Sequence, residues 1–336
     1  MNFSKNKNSE ALKTIEENSE LYEYLNKKYG SYSKNFFGMQ SKIKTLKTED
    51  LYKINNLFVL GVQNFSGIER LPNLKKLEIY ADKGAKSESL VCAYENPNLQ
   101  ERLLFLESPR PLQGEFLEKL NKDVKLCDGN TRAYITREDV KALNKRLDEI
   151  KAKIPKNIGE IGKAKNIYKQ LTNIEWDDEA LSSKSFKVRN KNAYGGIVYG
   201  KAVCEGFADS LRVAACDNDI EVNGVGGRSN LPQHRSDPRE QNHGWTQMKL
   251  NGQWYNFDLS WDAGEPEEKW ENFMCSDEKF SMGHIPSKDY LVHPCTDKRY
   301  DNVKSIRASQ KSYSEVPKNF QINKDFNPKN ITGMAI

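Results

Sequence analysis

Three residues in this chain have the types and the order needed for covalent acyl chemistry: Cys204, His243 and Asp258. The cysteine sits in Tyr199-Gly200-Lys201-Ala202-Val203-Cys204-Glu205-Gly206-Phe207-Ala208, just after a turn-prone glycine. From Phe207 the apolar residues Leu211 and Ala214 or Ala215 recur at helical spacing. Cys204 is therefore expected in the first turn of a helix. Backbone N–H groups are unpaired there and the positive dipole end favours a nucleophilic thiolate. The other two residues flank a hairpin signal, His243-Gly244-Trp245-Thr246-Gln247-Met248-Lys249-Leu250, Asn251-Gly252, then Gln253-Trp254-Tyr255-Asn256-Phe257-Asp258. Asn-Gly between two strand-like runs predicts a two-residue turn. In that register Leu250 faces Gln253, and Asp258 lies across from Trp245 and diagonal to His243. Alternate residues share a face, so all three fall on one side, while Met248, Leu250, Tyr255 and Phe257 form a core face. Diagonal neighbours are roughly 7–8 Å apart, within reach of an imidazole and a carboxylate. Singly, these residues read as a small buried cysteine, a surface histidine and a solvated aspartate. Together they make a nucleophile, a base and an acid that orients the base.

The rest of the chain must position this set. Residues 9–29 read as one helix through Leu12, Ile15, Leu21, Tyr22 and Leu25, stopped by Gly30 and Ser31. A repeat follows. Leu51-x-x-Ile54-x-x-Leu57-x-Val59 returns twenty residues later as Leu71-x-x-Leu74-x-x-Leu77-x-Ile79, and Pro72-Asn73-Leu74 returns as Pro97-Asn98-Leu99. Leu117, Leu120, Val124 and Leu126 give a looser echo. Period and form resemble a short bacterial leucine-rich repeat, with strands near Phe58–Leu60 and Glu78–Tyr80. One unit cannot bury its apolar side alone, so Leu57, Leu74 and Leu77 are expected inside a stack. Such an array offers a concave surface for a protein partner, or serves as a shoulder for the next domain. Residues 131–175 carry two helical patterns, 176–195 read as loop, Ile220 to Val225 as a strand ended by Gly226-Gly227, and 228–242 as a surface loop. His234, His284 and His293 read as surface or structural. Trp245, Trp254 and Trp261 read either as walls of a substrate tunnel or as ordinary sheet aromatics.

Composition bounds the function. The 336 residues suffice for two or three domains, and 52 basic side chains against 47 acidic ones leave a net charge of +5. No basic stripe with interleaved aromatics points to nucleic acid. No apolar run approaches the roughly 18 residues of a membrane span, and residues 1–20 lack the apolar core of a signal peptide. A cytoplasmic protein, or one exported without such a peptide, is expected. The six cysteines are scattered without a C-x-x-C pair, so neither a zinc cage nor any other metal or cofactor is expected.

The motifs around Cys204, His243-Gly244-Trp245 and Trp254-Tyr255-Asn256-Phe257-Asp258-Leu259-Ser260-Trp261-Asp262 resemble the transglutaminase-like superfamily. Phe273-Met274-Cys275-Ser276-Asp277, the later His284, and Ala164-x-x-Ile167-Tyr168 extend the likeness over about half the chain, roughly Ile135 to Tyr300. The resemblance implies an α+β, papain-like core with a cysteine–histidine–aspartate triad falling on Cys204, His243 and Asp258. Two positions depart from the animal crosslinking members: Glu205 replaces a Trp after the cysteine, and Val203 replaces a Gln before it. No acidic calcium loop is seen. The Cys204 amide is one oxyanion donor and Tyr194 a candidate for the other. The expected organisation is a helical cap over 1–45, repeats over 46–130, the catalytic domain over 131–300 and an extension over 301–336. The expected function is acyl transfer on protein amides through a thioester, with hydrolysis (peptidase or glutamine deamidase) preferred to γ-glutamyl transfer. A non-catalytic protein-binding scaffold is the reading from another class.

Overall fold

A computed structural model describes residues 11–34, 40–178, 189–229 and 242–301. Helices and strands are mixed throughout, the α+β class. The chain divides into two compact units, one up to Asn144 and one from Lys145. The expected 301–336 extension lies, apart from Asp301, outside the described residues, as do residues 1–10 of the cap.

The first unit is built on a parallel sheet in chain order: β1 (Asn56–Val59), β2 (Lys76–Ala81), β3 (Glu101–Leu106) and β4 (Lys125–Asp128). Leu57 pairs with Leu77 and Val59 with Ile79, so the twenty-residue offset is the step from one strand to the next. Ile79 then pairs with Leu104, and Leu104 with Leu126. These residues and Leu74 are buried, which places the apolar positions of the repeat in one core. The recurring Pro-Asn-Leu triplet has a mechanical cause. Asn73 Nδ2 donates to the Tyr52 carbonyl at 2.7 Å, and Asn98 Nδ2 donates to that of Pro72 at 2.9 Å. Each amide ties its turn to the one before while the following leucine enters the core. The expected single helix over 9–29 is interrupted. Asn18 leaves helical geometry and caps α1 (Ser19–Tyr29), its Oδ1 accepting from the Leu21 amide while its Nδ2 donates to the Asn64 carbonyl. A side chain that satisfies backbone groups on both sides outweighs helix continuity at that residue.

In the second unit, α2 (Arg137–Ala152, which begins in the first unit) and α3 (Glu160–Leu171) precede α4 (Cys204–Asp217). An antiparallel sheet follows in the order β7–β6–β5–β8, made of β5 (Glu221–Ser229), β6 (Asn242–Leu250), β7 (Gln253–Phe257) and β8 (His284–Pro286). The hairpin has the expected register, Leu250 opposite Gln253 through Thr246 opposite Phe257. Its turn places Asn251 and Gly252 at φ of 50° and 81°, the left-handed pair that a two-residue hairpin turn requires. Two expectations change. Within 176–195, residues 189–191 form a 3₁₀ turn and Tyr194–Tyr199 a π-helix, while 179–188 lie outside the described residues. Gly226 and Gly227 do not end β5 but lie inside it. A Cβ on Gly227 would stand 2.2 Å from the Ile285 carbonyl oxygen, and one on Gly226 2.5 Å from the Tyr290 ring. The glycines are there for close approach of neighbouring chain, not for a turn. No described helix is long and apolar enough to cross a membrane. Of the expected 228–242 loop, residues 230–241, with His234, lie outside the described residues.

Candidate active site

Cys204 is the first residue of α4. Val203 before it is extended, and the first helical bond runs from the Phe207 amide to the Val203 carbonyl at 3.0 Å. The amides of Cys204, Glu205 and Gly206 precede that bond and face the positive end of the helix dipole. Phe207, Leu211, Ala214 and Ala215 are buried as the periodicity predicts. Gly206 is required by a neighbour: a Cβ there would fall 2.3 Å from the Asn190 carbonyl oxygen and 2.9 Å from Ala202 Cβ. The helix lies on β6, where Thr246 Oγ1 donates to the Ala208 carbonyl at 2.9 Å. A Cβ on Gly244 would meet Glu205 Cα at 3.7 Å, so the first turn of α4 crosses β6 beside His243.

His243 lies on β6 opposite Gly227. Its Nε2 is 2.6 Å from Asp258 Oδ2. Cys204 acts electrostatically on the same ring, and with Nε2 on Asp258 the nitrogen left to face the thiol is Nδ1. Asp258 is not the strand residue that the register implied. Pairing with β6 stops at Phe257, and the Asp258 amide donates to the Asn272 carbonyl instead. Asp258 caps the short helix Leu259–Asp262, where Oδ1 accepts from the Ser260 amide (3.0 Å), the Ser260 hydroxyl (2.6 Å) and the Trp261 amide (3.4 Å). That leaves Oδ2 for imidazole. Below the carboxylate, the Tyr168 hydroxyl of α3 lies 2.9 Å from the Asp258 carbonyl oxygen and 2.7 Å from Asp262 Oδ2. Asp262 also accepts from the Glu271 and Asn272 amides, which fixes the turn that carries Asp258.

One further side chain joins the site, a residue counted in the family likeness but given no catalytic role there. His284, expected to be surface or structural, brings its Nε2 to 2.9 Å from Asp258 Oδ2 and its Nδ1 to 3.2 Å from the Phe280 carbonyl oxygen. Nothing in its spacing marks it, because it reaches the site by returning as β8 on the far side of β5. The face expected to be non-core is also buried: Cys204 is 6%, His243 8%, Asp258 1% and His284 2% exposed. Trp245, Cys275, Phe280 and Val225 form a small core over it. Trp261 stacks 5.2 Å from His243 and 4.2 Å from His284. Of the three tryptophans considered as walls, Trp245 and Trp261 therefore adjoin the histidines. Trp254 stacks on His293 at 3.9 Å and belongs to another part of the sheet. Tyr194 is buried in the π-helix, and the Ala193 amide just before it donates to Asp209, five residues into α4.

Electrostatics couple these groups. Burial opposes a charge on His243, but the Asp258 charge and hydrogen bond outweigh it, Cys204 adds to them, and the imidazole is held up to about 10. Burial alone would raise Asp258, yet His243 and His284 hold it well below the usual carboxylate range. Asp262 is pushed up to about 6 by burial, against the hydrogen bonds of Tyr168 and Asn272. His243, Asp258 and His284 are the group of potential ligands that converges among the described residues. Both Nε2 atoms lie within hydrogen-bonding distance of the same carboxylate oxygen.

No protein-family model and no curated protein sequence matches this chain. Among solved structures it is similar in part to a candidate cysteine protease from Cytophaga hutchinsonii, with 19% identity over 35% of this chain and 37% of that one and a TM-score of 0.28. It is also similar in part to a TGase (17% identity, 43% and 38% covered, TM-score 0.29) and to a candidate protease from Parabacteroides distasonis (14% identity, 35% and 28% covered, TM-score 0.25). The aligned segment spans less than two fifths of each of those chains.

Proposed function

We propose that this chain is a transglutaminase-like, cysteine-dependent acyl-transfer enzyme acting on protein amides, with Cys204 as nucleophile, His243 as base and acid, and Asp258 as the group that orients His243. The observation that carries this reading is the His243 ring, which is bonded through Nε2 to a buried, anionic carboxylate and is coupled electrostatically to the thiol at a helix N-terminus. Sulfur attacks the amide carbonyl carbon, and the carbonyl oxygen gains charge facing the free amides of the first turn of α4. His243 Nδ1–H gives its proton to the departing amine as the carbon–nitrogen bond breaks, leaving a thioester. Nδ1 then takes a proton from water, the hydroxide adds to the thioester, and the carbon–sulfur bond breaks, which releases the acid and returns the sulfur to Cys204. Hydrolysis is preferred because transfer to an amine needs a site that excludes water and binds the amine beforehand, and the Trp that follows the cysteine in the crosslinking members is replaced here by Glu205.

The papain-like arrangement of the second unit belongs to this proposal, as does reading the first unit as short leucine-rich repeats. Phe58, Tyr80 and Phe105 share the face of that parallel sheet opposite Leu57, Leu77 and Leu104, where Phe58 and Tyr80 are half-buried and Tyr80 and Phe105 stack at 4.4 Å. That face is where a protein substrate or partner would be selected.

The test incubates the purified chain with a cell lysate and a tagged primary amine. New peptide termini or Gln-to-Glu mass changes, absent with Cys204→Ala, are expected. Amine incorporation that requires Cys204 would replace hydrolysis by γ-glutamyl transfer. In a parallel alkylation, equal labelling of all six cysteines by iodoacetamide would end the nucleophile assignment in favour of a binding scaffold.

A further inference from the structure

His284 has no part in the chemistry written above, yet it is buried against the orienting carboxylate. Its hydrogen-bond partners fix its protons. Nδ1 lies 3.2 Å from the Phe280 carbonyl oxygen, which can only accept. Nε2 lies 2.9 Å from Asp258 Oδ2, which also faces His243 Nε2. A neutral imidazole has one N–H. It would have to aim a bare nitrogen lone pair at one of these two oxygens, at hydrogen-bonding distance and away from water, where no solvent relieves the repulsion. Asp258 cannot supply the missing proton, because its other oxygen is held by three donors that favour the anion.

Resting on the acyl-transfer reading, we propose that His284 is a positioning residue held as a second imidazolium on Asp258, which shares that carboxylate with His243 and sets the pH range over which the Cys204–His243 pair works. Two imidazoliums on one carboxylate leave a single positive charge, which would support negative charge on the attacking sulfur. Burial, the largest influence, and the His243 charge hold His284 below its ordinary value against the pull of Asp258; the case for the cation is the pair of acceptors that faces its two nitrogens. Among the described residues, Asp258 and His243 are the charged groups that act on the ring. Its remaining neighbours are Phe280, stacked at 3.6 Å, Trp245, edge-on at 5.1 Å, and Trp261 at 4.2 Å. The place is built to fit: a Cβ on Gly283 would stand 2.7 Å from the Trp261 ring, so a glycine there lets that ring close over His284.

The two histidine rings are 5.3 Å apart. Two unit charges at that distance, in a medium of effective dielectric ~20, shift each other by roughly two pH units, and Asp258 between them reduces this. Taking away the His284 charge makes the thiolate harder to form and the His243 proton harder to lose. Both inflections of the pH profile of Cys204 alkylation should therefore move up, by between about half a unit and two units, in His284→Gln. A merely structural role would lower the rate without moving the inflections. The direct measurement is ¹⁵N–¹H spectroscopy of the histidine rings in the wild-type protein at neutral pH. Protons on both nitrogens of His284 support the proposal; one bare nitrogen overturns it. Unmoved inflections in a folded His284→Gln overturn the tuning role, and if that variant fails to fold the wild-type spectrum decides. Uniform alkylation of the six cysteines would remove the acyl-transfer reading alone, since the protonation of His284 is read separately.

Discussion

Replacing Asp258 by asparagine tests the centre of the proposed chemistry. The side chain keeps its size, and Oδ1 can still cap the Leu259–Asp262 helix. What is lost is the charge facing two imidazoles. His243 is held up to about 10 chiefly because Asp258 overcomes the effect of burial. Without that charge only the smaller effect of Cys204 opposes burial, and the imidazole falls toward or below its ordinary 6.5. The imidazolium then loses on the order of 5 kcal/mol of support, so at neutral pH the ring no longer carries the proton taken from the thiol. An amide in this position also presents N–H where Oδ2 accepted, which turns the His243 ring toward the wrong tautomer. The expected loss in turnover is roughly 10³–10⁴-fold, by the measure of triads whose aspartate is made asparagine. Where no substrate is in hand, the assay is alkylation of Cys204 by iodoacetamide, read by mass spectrometry of its peptide between pH 5 and pH 9. The wild-type rate should persist below pH 7 and the Asp258→Asn rate should collapse there. A folded Asp258→Asn whose rate at pH 6 stays within about threefold of wild type would refute the assigned role of the carboxylate.

Two further outcomes follow from the same geometry. Gly206→Ala puts a methyl 2.3 Å from the Asn190 carbonyl oxygen, a backbone atom that cannot step aside cheaply. It should lower stability by about 1–3 kcal/mol in chemical denaturation, and an unchanged midpoint would count against the packing at the α4 N-terminus. Asp262 is raised from 3.8 to about 6, so its contribution to stability is complete below its unfolded value and is lost as pH rises through about 6. Asp262→Asn should remove about 3 kcal/mol of that fall, leaving the denaturation midpoint flatter between pH 4 and pH 7; an unaltered slope would show that Asp262 does not titrate there.

Much of this protein is legible in local sequence, for a physical reason. A helix start, a two-residue Asn-Gly turn and a twenty-residue apolar offset depend on short-range backbone preferences and on periodicity. The opening of α4 at Cys204, the hairpin register and the burial of Leu57, Leu74 and Leu77 follow from these alone. The helix break at Asn18, the glycines inside β5 and the departure of Asp258 from the sheet were not legible. Each is decided by atoms distant in sequence: the Asn64 carbonyl, Ile285 and Tyr290, and the Asn272 carbonyl with the Tyr168 hydroxyl. The burial of the histidine face is of the same kind. A strand pattern shows which residues share a side, but whether that side meets water depends on what later folds over it. Here Phe280, His284 and the rings around them do so. The sequence named a nucleophile, a base and a carboxylate by type, order and spacing. That the carboxylate serves two histidines was decided only when β8 returned beside β5, where two buried nitrogens and one carboxylate oxygen came within hydrogen-bonding distance.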